Sequence, residues 1–168
     1  MSLNNIQLPA FAIADLYHFT LIETDEIAAK TETTAIASGD EKYLGENKKN
    51  ILIIVDFADA TFLPDKELSF LTNMLTACKL SLADVVILNI NKSREKNYKE
   101  LISTFKSRIV FLFGIEPVSF GLPVTFPHFQ IQPFANATFL FTPLLKECEN
   151  DALLKSKLWV CLRRIFAI

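Results

Sequence analysis

The sequence predicts an α/β fold, a three-layer α/β/α sandwich with a central, mostly parallel sheet of about four strands. Short runs that are apolar on both faces alternate with segments whose apolar residues recur every three or four positions. Strands of this kind are covered on both sides, and parallel strands need crossover helices to join them. The strand–helix–strand–helix–strand order from Ile51 onward therefore predicts right-handed crossovers around one sheet.

The first of these segments are two strands and the helix between them. The run "ILIIVDF" from Ile51 is a two-sided strand, and Pro64 suits the first turn of a helix. "DVVILNI" is the second two-sided strand. The helix between them has an apolar stripe at helical spacing, formed by Leu68, Leu71, Leu75 and Cys78.

A second helix and three more strand-like runs follow. "SREKNYKELISTFK" is amphipathic, with Ser93 as a candidate N-cap, and "SRIVFLFG" is a strand that ends at Gly114. "FPHFQIQPF" and "ATFLFTP" indicate two more strands. We expect His128, placed inside the first of these two runs among phenylalanines, to be a structural residue rather than a base.

The last element is a helix from about Asn150 to Phe166. Either Asn150 or Asp151 can cap its first amides. Trp159 lies on this helix among apolar residues, and we expect it to belong to the core. The predicted apolar face consists of Leu154, Leu158, Leu162 and Ile165.

Length and composition limit the classes of protein. The 168 residues suggest one α/β domain over residues 49–168, preceded by a partly irregular flank over residues 1–48. The net charge of −2 argues against a protein that grips nucleic acid, so we do not expect direct DNA contact. With no apolar run of about 20 residues and no basic leader, we expect no membrane association and a cytoplasmic location.

Residue types that bind metals or cofactors are sparse. The three cysteines lack the Cys-x-x-Cys spacing and the two histidines are far apart, so we expect no metal site. Four scattered glycines form neither G-x-G-x-x-G nor a Walker motif, so we expect no bound nucleotide and no other cofactor.

Polar residues at strand ends are the remaining candidates, because sites in such sheets gather at the carboxyl ends of strands. Asp56 and Asp59 follow the first strand and could activate a water or bind a metal, or could instead cap the turn and face solvent. Thr142, before Pro143, could bind a ligand oxygen or simply form a turn. No combination supplies a nucleophile, a base and an orienting group, so we expect no catalytic residues.

The order of these motifs resembles the uracil-DNA glycosylase superfamily over about two thirds of the chain, from Lys49 onward. The matching segments are "KNILIIVDFADATFLPDKELSFLTNMLTACKLSLADVVILNINKS", "SRIVFLFGIEP" and "TFLFTPLLKECENDALLKSKLWVCLRRI". In that family a strand leads to a Gly-rich turn with the water-activating residue, and a later strand ends in an Asn. A further strand ends in a His-Pro-Ser turn before a helix with a Trp.

The chain departs from this family at the positions that carry its chemistry. "DFADATFLP" replaces the Gly-rich turn, Thr142 stands where the family has His, and Asn89 or Asn91 takes the Asn position. The cluster cysteines of the iron–sulfur members have no counterpart. The resemblance therefore implies a vestigial, non-catalytic pocket formed by Asp56, Asp59, Asn89, Thr142 and Pro143.

Within this fold the chain resembles the non-catalytic psi-subunit family of bacterial DNA polymerase III. "FTPLLKECENDALLKSKLW" and the N-terminal "IADLYHFTLI" carry this resemblance. It implies a replisome adaptor between the clamp loader and a chi-like partner. By similarity the docking residues are Leu16, Tyr17, Phe19 and Leu21, and the alternative for these four is burial in their own domain.

Two other functions stay open. One is a divergent glycosylase-like repair or base-binding protein that still uses Asp56 or Asp59, and the other is a domain of this fold with an unrelated partner. Basic residues of the last helix could contact DNA, although such residues more often form a solvated helix face. They are Lys155, Lys157, Arg163 and Arg164.

Overall fold

The computed structural model describes residues 42–93 and 96–168, which lie within one compact unit. Its strands are β1 (Ile51–Val55), β2 (Val85–Asn89), β3 (Ile109–Phe113), β4 (Ile131–Phe134) and β5 (Ala137–Thr142). Its helices are α1 (Asp65–Ala77), α2 (Tyr98–Phe105), α3 (Leu145–Asn150) and α4 (Ala152–Phe166). A short 3₁₀ turn, Leu82–Asp84, leads into β2.

The described strands form one sheet in the order β2-β1-β3-β5-β4. All neighbours are parallel except β4, which pairs antiparallel with β5 at the edge. The predicted α/β class and mostly parallel sheet are confirmed, and the five strands fall within the five strand-like runs of the sequence. The edge strand β4 pairs with β5 because Ala135 and Asn136 both take positive φ, which closes a two-residue hairpin.

Hydrophobic cores cover both faces of the sheet and make three layers. The β1 residues Ile51, Ile53 and Val55 face the core beneath α1, α3 and α4. Their neighbours Leu52 and Ile54 face the other core, which packs against α2. Every residue of β1 is buried, as its two-sided apolar sequence predicted.

Two predictions about the middle of the chain are wrong. The helix predicted from Ser93 begins only at Tyr98, because the Asn97 side chain caps it by accepting a hydrogen bond from the Lys99 amide at 3.0 Å. His128 is exposed and lies outside β4, because a positive φ at Phe129 turns the chain before that strand begins. The imidazole of His128 packs on the ring of Phe141, with centroids 4.1 Å apart.

The C-terminal region forms two helices rather than one. Asp151 separates α3 from α4 with an extended backbone, and its carboxylate accepts hydrogen bonds from the Leu153 and Leu154 amides at 2.7 and 3.2 Å. Of the two predicted caps, Asp151 is therefore the one in place. On α4, Leu158 and Leu162 are buried against the sheet, as their spacing predicted.

The core extends upstream of the predicted domain start at Lys49. Leu44 pairs antiparallel with Ile87, and the two backbone hydrogen bonds measure 2.9 and 2.7 Å. Tyr43 meets Phe105 edge to face, with ring centroids 5.1 Å apart. Gly45 permits this approach, since a Cβ there would lie 2.1 Å from the carbonyl oxygen of Val85.

Helix length and polarity also bear on membrane association. In the two described stretches, 42–93 and 96–168, no helix has the length and apolar character needed to cross a bilayer.

Candidate functional site

The predicted pocket residues lie along the carboxyl edge, the side of the sheet at which the parallel strands end. Val55 of β1 pairs with Asn89 of β2, and Phe113 of β3 pairs with Thr142 of β5, so the carboxyl ends of these parallel strands are level. Asp56 follows β1 at the same edge. Because β3 lies between β1 and β5, Asp56 and Thr142 are about 10 Å apart, two strand spacings.

The side chain of Asn89 is buried and engaged with backbone groups. Its Nδ2 donates hydrogen bonds to the carbonyl oxygens of Phe57 and Ala60, at 2.7 and 2.8 Å. Its Oδ1 accepts hydrogen bonds from the amides of Phe57 and Asn91, at 3.1 and 3.2 Å. An amide side chain offers two donors and two acceptor positions, so Asn89 has none left for a ligand.

The carboxylates Asp56 and Asp59 are exposed beside this loop. Asp56 Oδ1 accepts a hydrogen bond from Asn91 Nδ2 at 2.9 Å. Asn91 thus joins the loop after β1 to the loop after β2, through its backbone to Asn89 and through its side chain to Asp56. The two carboxylates face solvent, and Asn89 lies below them in the core.

At the other end of this edge, Thr142 is fully buried. Its hydroxyl lies 3.4 Å from the Leu112 carbonyl oxygen and 3.2 Å from that of Pro143, so it donates into the backbone. Beside it, the side chain of Leu144 packs against Gly114, where an added Cβ would clash with Leu144 Cδ2. The neighbour of Thr142 at the end of β3 is therefore an apolar contact and not a polar group.

The cysteine thiols are poor nucleophiles. Burial, together with the charges of Glu147 and Asp151, raises the pKa of Cys148 to about 11. Burial also raises the pKa of Cys78 and of Cys161, and the thiol of Cys161 donates to the Phe129 carbonyl at 3.2 Å. Because their pKa values are raised, the three thiols remain protonated near neutral pH. The thiolate is the reactive form, so a protonated thiol is a poor nucleophile.

Within residues 42–93 and 96–168, no three His, Cys, Asp or Glu side chains are grouped as ligands of one ion.

Sequence reasoning missed a groove between α1 and α4 on one outer face of the sandwich. It has a volume of about 420 Å³, with Asn73 and Lys155 as its polar members. Trp159, expected in the core, packs against the core but is only partly buried and lines the groove. The apolar lining residues are Phe70, Met74, Ala77, Leu158, Trp159 and Leu162.

No protein-family model matches this chain, and no curated protein is significantly similar to it. The relationship to the glycosylase superfamily and to the psi-subunit family remains a prediction from the motifs quoted above.

Some of the predicted site residues lie on neighbouring strands, some lie further along the sheet, and some fall outside the described residues. Asp56, Asp59 and Asn89 lie at the carboxyl ends of the neighbouring strands β1 and β2, whereas Thr142 and Pro143 lie at the end of β5, two strands from β1. The predicted docking residues Leu16, Tyr17, Phe19 and Leu21 lie outside the described residues. The groove gave one sequence signal, the helical spacing of Phe70, Asn73 and Ala77 on one stripe of α1.

Proposed function

We propose that this protein is a non-enzymatic adaptor of the replisome, similar in role to the psi subunit of bacterial DNA polymerase III. In this role it joins clamp-loader subunits to a chi-like partner. The observation that carries the proposal is the state of Asn89, whose amide is used entirely in holding the loop after β1.

Base excision requires two kinds of polar group at the carboxyl edge of this fold. One reads the edge of an extruded base, and the other activates a water. Of the two candidates for the reader, Asn89 binds backbone groups and Asn91 donates its side-chain amide to Asp56. Thr142, in place of the family's His, donates its hydroxyl into the backbone. Such an edge supports the structure of a scaffold better than it supports catalysis.

The partner contacts in this proposal come from the N-terminal residues Leu16, Tyr17, Phe19 and Leu21. Large aromatic and aliphatic side chains are the usual anchors of protein interfaces, since they bury much area in a partner's pocket. The resemblance to the psi-subunit family assigns these residues to the clamp loader. The partner for the folded domain in that family is the chi subunit.

Two measurements test the adaptor role. Purified protein incubated with a uracil-containing oligonucleotide should release no free base, while an active glycosylase in a parallel reaction does. Tagged protein should co-purify with clamp-loader subunits and a chi-like protein, and Tyr17→Ala with Phe19→Ala should remove the clamp-loader subunits. Uracil release, or an unchanged co-purification of the double variant, would contradict the proposal.

A divergent glycosylase is the second candidate function. The observation that favours it is the exposure of Asp56 and Asp59 at the carboxyl edge, beside the Asn91 side chain. If one of these carboxylates activates a water, the protein should release uracil and Asp56→Asn or Asp59→Asn should abolish that release. Release that survives in both variants would point to a contaminating enzyme and not to this site.

A further inference from the structure

The groove between α1 and α4 is an apolar concavity that the proposed function leaves without a role. Met74, Leu158 and Leu162 form its buried floor, while Ala77 is exposed and Trp159 partly exposed. A concavity bounded by two helices and lined by apolar side chains is the form that accepts an amphipathic helix of a partner. Trp159 is the single tryptophan of the sequence, so all tryptophan fluorescence comes from a residue that lines this groove.

A positive charge lies across the groove. Lys155 of α4 places its ammonium 5.4 Å from the ring centroid of Phe70, which belongs to α1. Among the described residues, no carboxylate lies within ion-pair distance of Lys155. The cation is therefore held over an apolar surface by a cation–π contact and is available to an incoming anion.

The whole of α4 has the same sign of charge. Between Ala152 and Phe166 it carries four basic residues and no Asp or Glu. Lys155, Trp159 and Arg163 are spaced i, i+4 and i+8, so they follow one stripe beside the groove. Arg163 donates from Nε to the Ile168 carbonyl oxygen at 3.2 Å. The other N–H groups of its guanidinium take no part in this hydrogen bond.

We propose that this groove binds an acidic, amphipathic helix of a partner protein. A large apolar side chain of that helix packs beside Trp159 and Met74, and a carboxylate pairs with Lys155. The proposal rests on the proposed adaptor function, because it specifies the chemistry of one partner of the folded domain. The positive charge of Lys155 favours acidic segments and disfavours basic ones by repulsion.

Single-stranded DNA is a weaker match to the same surface. Binding of a nucleic-acid backbone needs several clustered cations, and Lys155 is the one basic residue lining this groove. Binding of DNA is therefore a competing outcome of the test.

The test uses the full-length protein and the fluorescence of Trp159. The probe is an acidic amphipathic peptide about five helical turns long, with Leu at helical spacing and Glu at the other positions. The controls are a scrambled peptide of the same composition, a peptide with Lys in place of Glu, and oligothymidylate. We expect a saturable fluorescence change with the acidic amphipathic peptide alone, and weaker binding as salt rises.

Two groove variants and one control variant locate the binding. Lys155→Glu and Ala77→Glu should each weaken peptide binding by about tenfold or more, since both bring negative charge to the groove. Lys99→Glu on α2, across the sheet, should bind as the wild type does. Circular dichroism and urea unfolding of all three should match the wild type, because the three positions are exposed.

Several outcomes would overturn the groove proposal: an unchanged Trp159 signal, equal binding of the scrambled or basic peptide, wild-type affinity in Lys155→Glu, or binding of oligothymidylate in preference to the peptide. The adaptor proposal fails separately. If the clamp-loader subunits and chi-like protein do not co-purify while the peptide binds, the groove assignment stands and the replisome role falls.

Discussion

The side chain of Asn89 both donates to and accepts from the backbone of Phe57, at 2.7 Å to its carbonyl oxygen and 3.1 Å from its amide. This pair of bonds joins the loop after β1 to the end of β2. The loop contains no glycine, and the Asn89 side chain holds its backbone in place.

The first prediction concerns the hydrogen bonds of the Asn89 side chain to the loop after β1. Asn89→Ala should lower the free energy of unfolding by about 2–4 kcal/mol, since it removes several buried hydrogen bonds and leaves backbone groups of the loop unpaired. Urea unfolding measures the change. Asn91→Ala is the matched control, because Asn91 is exposed and its side chain makes a single bond to Asp56, so a loss below about 1 kcal/mol is expected. Equal losses of stability in the two variants would show that the Asn89 side chain does not hold the loop.

The second prediction concerns the contact of Gly114 with Leu144. Gly114→Ala should cost about 1–3 kcal/mol, because φ is +70° and the new Cβ would clash with Leu144. Gly121 also has positive φ, but a Cβ there would lie 3.6 Å from Tyr98, so Gly121→Ala measures backbone strain without a clash. Leu144→Ala should partly rescue Gly114→Ala in a double-mutant cycle. Additive losses of stability in that cycle would mean that the Leu144 side chain does not contact the residue at position 114.

The third prediction concerns the cap of α4. Asp151→Ala should lower stability by about 1 kcal/mol, because the Leu153 and Leu154 amides lose their acceptor. Asn150→Ala is the control, since the exposed Asn150 side chain donates to the Lys146 carbonyl of α3 and does not cap α4. Thermal unfolding should show a smaller shift for Asn150→Ala, within about 0.5 kcal/mol. The opposite ranking would assign the cap to Asn150.

The fourth prediction concerns stability at alkaline pH. The native state raises the pKa of Cys148 from 9.0 to about 11, so above pH 9 the native thiol keeps a proton that the unfolded chain releases. This contribution to stability is complete below pH 9 and is lost as the pH rises through the native pKa. The urea midpoint of the wild type should therefore fall more steeply between these values than that of Cys148→Ala. Parallel pH dependences would show that the thiol does not titrate in this way.

Local patterns in the sequence account for most of the fold. The two-sided apolar runs of β1, β2 and β3 and the stripe of Leu71 and Leu75 on α1 depend on neighbours a few residues away. Periodicity of this kind predicts which face is buried whatever the rest of the chain does. The boundary errors came from single residues, Asn97 in place of Ser93 and the positive φ of Phe129, which local periodicity does not report.

The sequence predicted that the candidate residues lie at strand ends, but it did not predict their hydrogen bonds. Strand ends indicated that Asp56, Asn89 and Thr142 would share an edge, because parallel strands carry their carboxyl ends to one side. The side-chain amide of Asn89 donates to the carbonyl oxygens of Phe57 and Ala60, which lie 32 and 29 positions away in the chain. Short-range patterns do not identify such partners. The groove beside Trp159 likewise depends on how α1 approaches α4, which are separated in the chain by most of the sheet.

The α/β class, the strands covered on both faces and the glycine-free loop after β1 follow from composition and short-range periodicity. The inward orientation of Asn89 and Thr142, the contact of Leu144 with Gly114 and the position of Lys155 over Phe70 do not follow from such patterns. Hydrogen bonds and packing across the sheet join residues distant in the chain, and their partners are fixed only when the layers assemble.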